Sequence, residues 1–179
     1  MKIKNLLSAV LFLFFASYFA QNTIEVMSFN IRLGSVDDGE NHWNIRKDKV
    51  KDLINYYEAD FVGLQEAQKP QINYLLENNS LYSFLGKPRD DGENAEFSCI
   101  FYLKNKYKVL EQNTFWLSET PEKSTKSWDA AYPRIVTYAL FENIKTKKKV
   151  WVFNTHFDHV GMVARQKSAE IILKKMKEL

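Results

Sequence analysis

The residues best suited to chemistry are concentrated in residues 150–159, VWVFNTHFDH, where an apolar run ends in polar side chains. His156 and His159 are two of the three histidines in the chain, and Asp158 lies between them. Imidazole titrates near neutral pH, which suits it to proton transfer or to binding an anion. The apolar run is typical of a buried strand, so a rigid element would present these groups at its C-terminal end. The alternative is a strand whose end is polar without any function.

Two further predicted strands also end in polar groups. Residues 23–30 alternate in polarity and end at Asn30, and the apolar residues 61–65 are followed by Glu66. Apolar residues at helical spacing predict a helix over residues 44–57 between these strands. A strand–helix–strand crossover favours parallel neighbours, which would bring Asn30 and Glu66 together. Their oxygens would suit Mg²⁺, and loop hydrogen bonding is the alternative for either residue alone.

Other side chains have the chemistry to bind a phosphate. Arg134 precedes a strand predicted over residues 135–143, and its guanidinium can bind two phosphate oxygens, although a surface ion pair is an equal alternative. Tyr102 could donate its hydroxyl to the same phosphate or belong to the core. Asp158 could orient a histidine or contact substrate. Combined with His156, these groups are the parts that metal-assisted phosphoryl transfer requires.

The remaining patterns predict the elements that position these residues. Arg46 and the lysines of the 44–57 helix are expected on its solvent face. Cys99, the only cysteine, lies in an alternating apolar segment and is expected to be a buried, inert thiol. The other predicted elements are a helix from Pro70 to about residue 77, a strand over 81–85, a hairpin of strands 97–103 and 107–114, a second hairpin of strands 135–143 and 149–155, and a helix after Gly161.

The N-terminus predicts export. Lys2 and Lys4 precede an apolar run that ends before residue 21, so residues 1–20 are expected to be a signal peptide and the protein to be secreted or periplasmic. Residues 21–179 are expected to form one domain. Without the two lysines, 23 of the 25 basic residues remain against 22 acidic ones. This balance argues against a nuclease that relies on a broad basic groove.

Three segments, MSFNIR at 27–32, VGLQE at 62–66 and FNTHFDH at 153–159, resemble motifs of the endonuclease/exonuclease/phosphatase superfamily. YPRIVTY around Arg134 and FSCIFY around Tyr102 are also similar. The resemblance implies an α/β (α+β) fold, a four-layer α/β/β/α sandwich of two mixed β-sheets with outer helices. It also implies an enzyme that uses Mg²⁺, with Mn²⁺ possible, for in-line attack of water on a phosphodiester or phosphomonoester.

The resemblance also implies roles for individual residues. Glu66 would be a metal ligand with Asn30 beside it, His156 would stabilise the scissile phosphate, and Arg134 and Tyr102 would be lesser phosphate contacts. Asp158 and His159 are also predicted to bind the substrate, but this prediction rests on the residue pattern alone.

The family also has a Gly-Asp-x-Asn segment and a final Asp-His pair, which holds the general base, downstream of these motifs, and this sequence ends before either would be reached. We therefore expect a domain that is incomplete at the C-terminus, with its general base beyond Leu179 and with weak or no activity alone. A non-catalytic module that binds a phosphate ligand is the alternative function.

The partner expected from these patterns is a phosphate-ester substrate, either a small molecule or a nucleic acid. No stable protein partner and no membrane span after signal cleavage are expected, and the complete protein is expected to be a monomer. No amphipathic stretch in the sequence indicates a lipid substrate.

Overall fold

The computed structural model describes residues 23–179, so the predicted signal peptide lies outside the described residues. The described part contains seven strands and three α-helices. In chain order they are β1 (Val26–Asn30), α1 (Trp43–Tyr57), β2 (Phe61–Ala67), α2 (Lys69–Glu77), β3 (Tyr82–Leu85), β4 (Phe97–Leu103), β5 (Tyr107–Trp116), β6 (Ile135–Asn143), β7 (Lys149–Thr155) and α3 (Met162–Glu178). None of the helices within residues 23–179 is both long and apolar enough to cross a membrane.

The strands form two sheets. The first sheet has the order β1-β2-β4-β3, and the second has the order β5-β6-β7. Strands β1 and β2 are parallel, with Asn30 opposite Gln65, as the strand–helix–strand pattern predicts. The other pairs are antiparallel, so the first sheet is mixed and the described strands of the second are all antiparallel. Because β1 and β2 are parallel, their C-terminal ends lie side by side at the same end of the first sheet.

The predicted hairpin of residues 97–103 and 107–114 is wrong. Both residue ranges are strands, and a turn joins them, but β4 pairs with β2 and β3, whereas β5 pairs with β6. Both edges of β4 are already hydrogen-bonded, so β5 has no free edge to join and the chain crosses to the second sheet. Polarity patterns define strands well but do not define their partners.

Three apolar clusters separate four layers. One cluster packs α1 and α2 on the outer face of the first sheet, and it includes Ile54, Leu64 and Ile72. A second fills the space between the sheets around Phe61 and Phe141. A third, with Leu117, Val136 and Ile172, packs α3 on the second sheet. This arrangement confirms the predicted α/β/β/α sandwich. Cys99 is fully buried, and burial raises the pKa of its thiol to about 12.

The loop after β1 is anchored from the outer helices. Arg46 of α1 donates to the carbonyls of Ile31 at 2.6 Å and Arg32 at 3.0 Å. Gln71 of α2 donates to the same Arg32 carbonyl at 2.9 Å. Arg46 is partly exposed, as expected, but its guanidinium also satisfies loop carbonyls that have no strand partner. Burial lowers the pKa of Arg46.

Candidate active site

Glu66 is placed by an irregularity in β2. Leu64 pairs with Cys99 and Ala67 pairs with Phe97, so β2 carries one residue more than β4 between these pairs. Glu66 lies in this bulge with φ of 56°, in the left-handed region that non-glycine residues seldom adopt. A bulge re-aims a side chain at the cost of local strain, and such strain persists where the surrounding structure enforces it. The carboxylate accepts a hydrogen bond from Leu33 N at 3.3 Å.

Asn30 holds the Glu66 carboxylate in place. Asn30 Nδ2 donates to Glu66 Oε1 at 2.8 Å, and Asn30 Oδ1 accepts from Arg32 N at 2.9 Å. A backbone N–H can only donate, so the oxygen of the amide must face Arg32 and its NH₂ must face Glu66. The amide oxygen of Asn30 therefore accepts from the backbone, and its NH₂ group faces Glu66. Asn30 thereby orients the Glu66 carboxylate.

His156 meets Glu66 from the second sheet. It follows the end of β7, and its Nε2 lies 3.5 Å from Glu66 Oε1. Burial lowers the pKa of His156, the charge of Arg134 lowers it further, and the charge of Glu66 only partly opposes them. A neutral imidazole can donate one N–H to an anionic oxygen while its other nitrogen accepts a hydrogen bond. The predicted convergence of Asn30, Glu66 and His156 is present.

Arg134 and Asp158 form a buried ion pair below the cleft. Arg134 Nε lies 3.1 Å from Asp158 Oδ2, and the two side chains are 5% and 1% exposed. Arg134 Nη2 lies 3.1 Å from His159 Nδ1. The second carboxylate oxygen of Asp158 accepts from Val160 N and Gly161 N at 3.0 and 2.8 Å. Asp158 and His159 therefore orient Arg134, which borders the cleft with Glu66 and His156.

Tyr102 does not reach this site, and its predicted role as a phosphate contact is wrong. In β4 it pairs with Phe61, at the opposite end of β2 from Glu66. Glu66 is five residue positions along the strand from Phe61, a distance of roughly 16 Å. Its ring packs on Phe141 with centroids 5.1 Å apart, in the space between the sheets. Because β4 runs antiparallel to β2, its first residues lie at the site, and Ser98 borders the cleft instead.

Two charged residues of the cleft were not found from the sequence. Arg89 and Glu96 border it together with Glu66 and His156. Arg89 Nη2 pairs with Glu96 Oε1 at 2.6 Å, and both side chains are largely buried. Burial raises the pKa of Glu96, although the charge of Arg89 opposes this effect. Mixed charges in the 87–94 loop were the only sequence signal, and they are equally typical of a solvated loop.

A polar network fixes the distance between the two walls of the site. Asn154 of β7 is buried between the sheets and donates to the carbonyls of Leu64 at 2.9 Å and Cys99 at 2.7 Å. Its Oδ1 accepts from Gln65 Nε2 at 2.6 Å. These bonds link β7 to β2 and β4. Gln65 lies one residue before Glu66, and Asn154 lies two residues before His156. The network therefore sets the spacing of the two catalytic candidates.

The side chains of the site offer a magnesium ion few protein ligands. Glu66 is a partly exposed carboxylate, and Mg²⁺ often takes one or two protein carboxylates and completes its shell with waters and phosphate oxygens. No group of three His, Cys, Asp or Glu side chains suited to a metal occurs within residues 23–179. Glu66 would be the principal ligand, with Asn30 orienting it, because the other carboxylate at the cleft, Glu96, is paired with Arg89.

No family model matches the sequence. Proteins of known structure nevertheless share the fold described above. The chain is 42% identical to an endonuclease/exonuclease/phosphatase from Bacteroides vulgatus of known structure, with a TM-score of 0.83. The mannosyl-6-phosphatase Bt3783 of Bacteroides thetaiotaomicron VPI-5482 is 36% identical, with a TM-score of 0.83. Each match covers 87% of this chain and 60% of that protein.

A curated viral relative is more distant. The uncharacterized protein L388 of Acanthamoeba polyphaga mimivirus is 28% identical over 124 residues, which are 65% of this chain and 46% of that protein. This chain therefore spans less than two thirds of the length of each of these relatives. The four-layer sandwich, the convergence of the three motifs on one cleft and the two structural likenesses agree. The chain belongs to the endonuclease/exonuclease/phosphatase superfamily.

Proposed function

We propose that this chain contributes the phosphate-binding wall of a Mg²⁺-dependent phosphoesterase. The observation that supports this proposal is the convergence of Glu66, His156 and Arg134, from three different strand ends, on one cleft. A carboxylate, a neutral imidazole and a guanidinium together match a metal-bound phosphate group. Asn30 and Asp158 hold the first and third of these groups in place, so little reorganisation is required when substrate binds.

In the proposed reaction, water attacks phosphorus in line and the bond from phosphorus to the leaving oxygen breaks. The Nε and Nη2 of Arg134 are already directed to Asp158 and His159. The remaining N–H groups of the guanidinium contact a non-bridging phosphate oxygen. His156 donates an N–H to another phosphate oxygen, where negative charge increases in the transition state. Mg²⁺ bound to Glu66 would neutralise phosphate charge and act as a Lewis acid.

The substrate proposed first is a small phosphomonoester. The relative named a mannosyl-6-phosphatase supports this class, as does the near balance of charge outside residues 1–20. Nucleic-acid phosphodiesters are the second class, since the same centre can attack either kind of ester. We further propose that residues 1–20 direct export. N-terminal sequencing of protein recovered outside the cytoplasm, with a start near residue 21, would support export.

The activity test measures phosphate release from mannose 6-phosphate and hydrolysis of bis(p-nitrophenyl) phosphate and a single-stranded oligodeoxynucleotide. It uses this 179-residue chain and, in parallel, the longest product of its gene. The expected result is Mg²⁺-dependent turnover in at least one of them, reduced about 10²-fold or more by Glu66→Gln and by His156→Ala. Lys174→Ala on α3 is the control. Unchanged turnover in either site variant, or turnover that survives chelation of Mg²⁺, contradicts the proposed mechanism.

A further inference from the structure

Arg89 is held rigidly beside the catalytic candidates. Its N–H donates to the Glu96 carbonyl at 2.9 Å, which fixes one side of the residue. Its carbonyl accepts from Trp116 Nε1 and from Ser124 Oγ, each at 2.7 Å. A loop residue with both backbone groups fixed from three directions loses little entropy when its side chain binds a ligand. Its guanidinium borders the same cleft as Glu66 and His156.

The half-exposed ring of Tyr132 lies against Arg89 and Arg134. The Arg89 guanidinium lies 4.9 Å from the centre of the Tyr132 ring, and the Arg134 guanidinium lies 6.0 Å from it. The ring of His159 stacks on Tyr132 at 6.0 Å with an interplanar angle of 22°. Half of Tyr132 nevertheless remains exposed, at 50%. Tyr132 therefore contacts Arg89 on one side and Arg134 and His159 on the other.

We propose that Arg89, Glu96 and Tyr132 form a subsite for a hydroxyl-rich leaving group, such as the ring of a sugar phosphate. The inference rests on the proposed phosphoesterase function and specifies which esters the cleft selects. Arg89 can only donate hydrogen bonds, ionised Glu96 can only accept them, and the Tyr132 hydroxyl can do both. Neighbouring sugar hydroxyls each need a donor and an acceptor, so this mixed set satisfies them. The exposed part of the Tyr132 ring can also cover apolar C–H groups of the sugar.

The charge balance of the subsite favours hydroxyls over a second phosphate. Glu96 lies 2.6 Å from Arg89 and compensates its positive charge, with side-chain exposures of 12% and 15%. A second phosphate would have to displace this buried carboxylate or lie next to it, and either arrangement is unfavourable. Neutral hydroxyls can hydrogen-bond to the pair without separating it.

The test compares two primary alkyl phosphates with similar intrinsic reactivity, mannose 6-phosphate and butyl phosphate. Isothermal titration calorimetry in the presence of Mg²⁺ gives the ratio of their Kd values, and the ratio of kcat/KM replaces it where the esters are hydrolysed. We expect the protein to prefer mannose 6-phosphate by about tenfold or more, since a few hydrogen bonds supply that difference. Arg89→Lys and Tyr132→Phe, which keeps the ring stacked on His159, should each reduce the ratio of the two Kd values by about threefold or more.

Tyr56→Ala is the matched control, because Tyr56 is 80% exposed on α1. It should leave both Kd values unchanged. Equal affinity of the unaltered protein for the two esters would overturn the inference, as would a preference that persists in both subsite variants. Binding of neither butyl phosphate nor inorganic phosphate would instead contradict the proposed phosphate site, and with it the subsite.

Discussion

The amide of Asn30 is fixed between two partners, because its NH₂ donates to Glu66 Oε1 at 2.8 Å while its oxygen accepts from Arg32 N at 2.9 Å. The sequence predicts Asn30 beside the predicted metal ligand Glu66, and in the structure the Asn30 amide orients that carboxylate. The carboxylate is thereby held in the bulge of β2, where its backbone has a positive φ.

Replacing Asn30 with alanine should weaken magnesium binding without unfolding the protein. The expected loss of Mg²⁺ affinity is about 10- to 100-fold, because removing a partner that orients a ligand has effects of this size. Isothermal titration calorimetry with MgCl₂ measures it, with Asn44→Ala on the exposed start of α1 as the control. An Asn30→Ala variant that binds Mg²⁺ as tightly as the unaltered protein would show that Glu66 does not need this support.

Replacing Gly63 with alanine should destabilise the contact between the sheets. A Cβ at Gly63 would lie 2.8 Å from Asn154 Oδ1 and 2.9 Å from Asn154 Cγ, and Asn154 is buried and hydrogen-bonded. We expect a loss of about 1–3 kcal/mol in the free energy of unfolding, as for other overpacked sites. Urea denaturation measures this loss.

The control for Gly63 is Gly92→Ala. There the added Cβ meets the carboxylate oxygen of Asp90, at the end of a partly exposed side chain that can move. A change within about 0.5 kcal/mol is expected at Gly92. Equal stability of the Gly63 and Gly92 variants would mean that the network around Asn154 yields easily and does not set the spacing of the site.

Asp158 should make stability depend on pH. Burial raises the pKa of Asp158, but hydrogen bonds from Gly161 N, Val160 N and Arg134 outweigh burial, and the pKa lies well below the usual range. The carboxylate therefore stabilises the fold above its unfolded-state pKa of about 3.9, and this contribution is lost as pH falls from there toward the folded-state pKa.

The variant Asp158→Asn should consequently unfold more easily by about 3 kcal/mol at pH 7, because it leaves Arg134 buried without its partner. Urea denaturation between pH 7 and pH 3 should show a constant difference down to about pH 5 and a smaller one below about pH 4. Asp91→Asn, in an exposed loop, should differ little from the unaltered protein throughout. A difference for Asp158→Asn that does not change with pH would exclude the ionised carboxylate as its source.

Tyr102 should be dispensable for phosphate binding. Tyr102→Phe is expected to change the Kd of inorganic phosphate by no more than about twofold, because the hydroxyl lies at the other end of the sheet from Glu66. Arg134→Lys should weaken binding by roughly tenfold, since lysine cannot contact Asp158, His159 and the phosphate together. Calorimetric titration with phosphate in the presence of Mg²⁺ compares the two. A larger effect at Tyr102 than at Arg134 would contradict the placement of the phosphate wall.

The sequence by itself determined where most strands and helices lie and which strands end in polar residues. Apolar periodicity located β1, α1, β2 and β7 to within a few residues, because alternation and helical spacing are local properties of the chain. The parallel pairing of β1 and β2 also followed from the sequence, since a helix between two strands rarely allows another arrangement. For these reasons Asn30, Glu66 and His156 could be assigned to one site.

Only the tertiary structure decided which strands are partners and which side chains share the cleft. The sequence could not show that β4 pairs with β2 and not with β5. This pairing places Tyr102 far from the site and Ser98 at its border. Arg89 and Glu96 lie in and after a loop whose composition is typical of solvent, and long-range contacts alone bury them. Strand pairing and loop burial depend on contacts between residues far apart in the chain, and local polarity patterns do not contain that information.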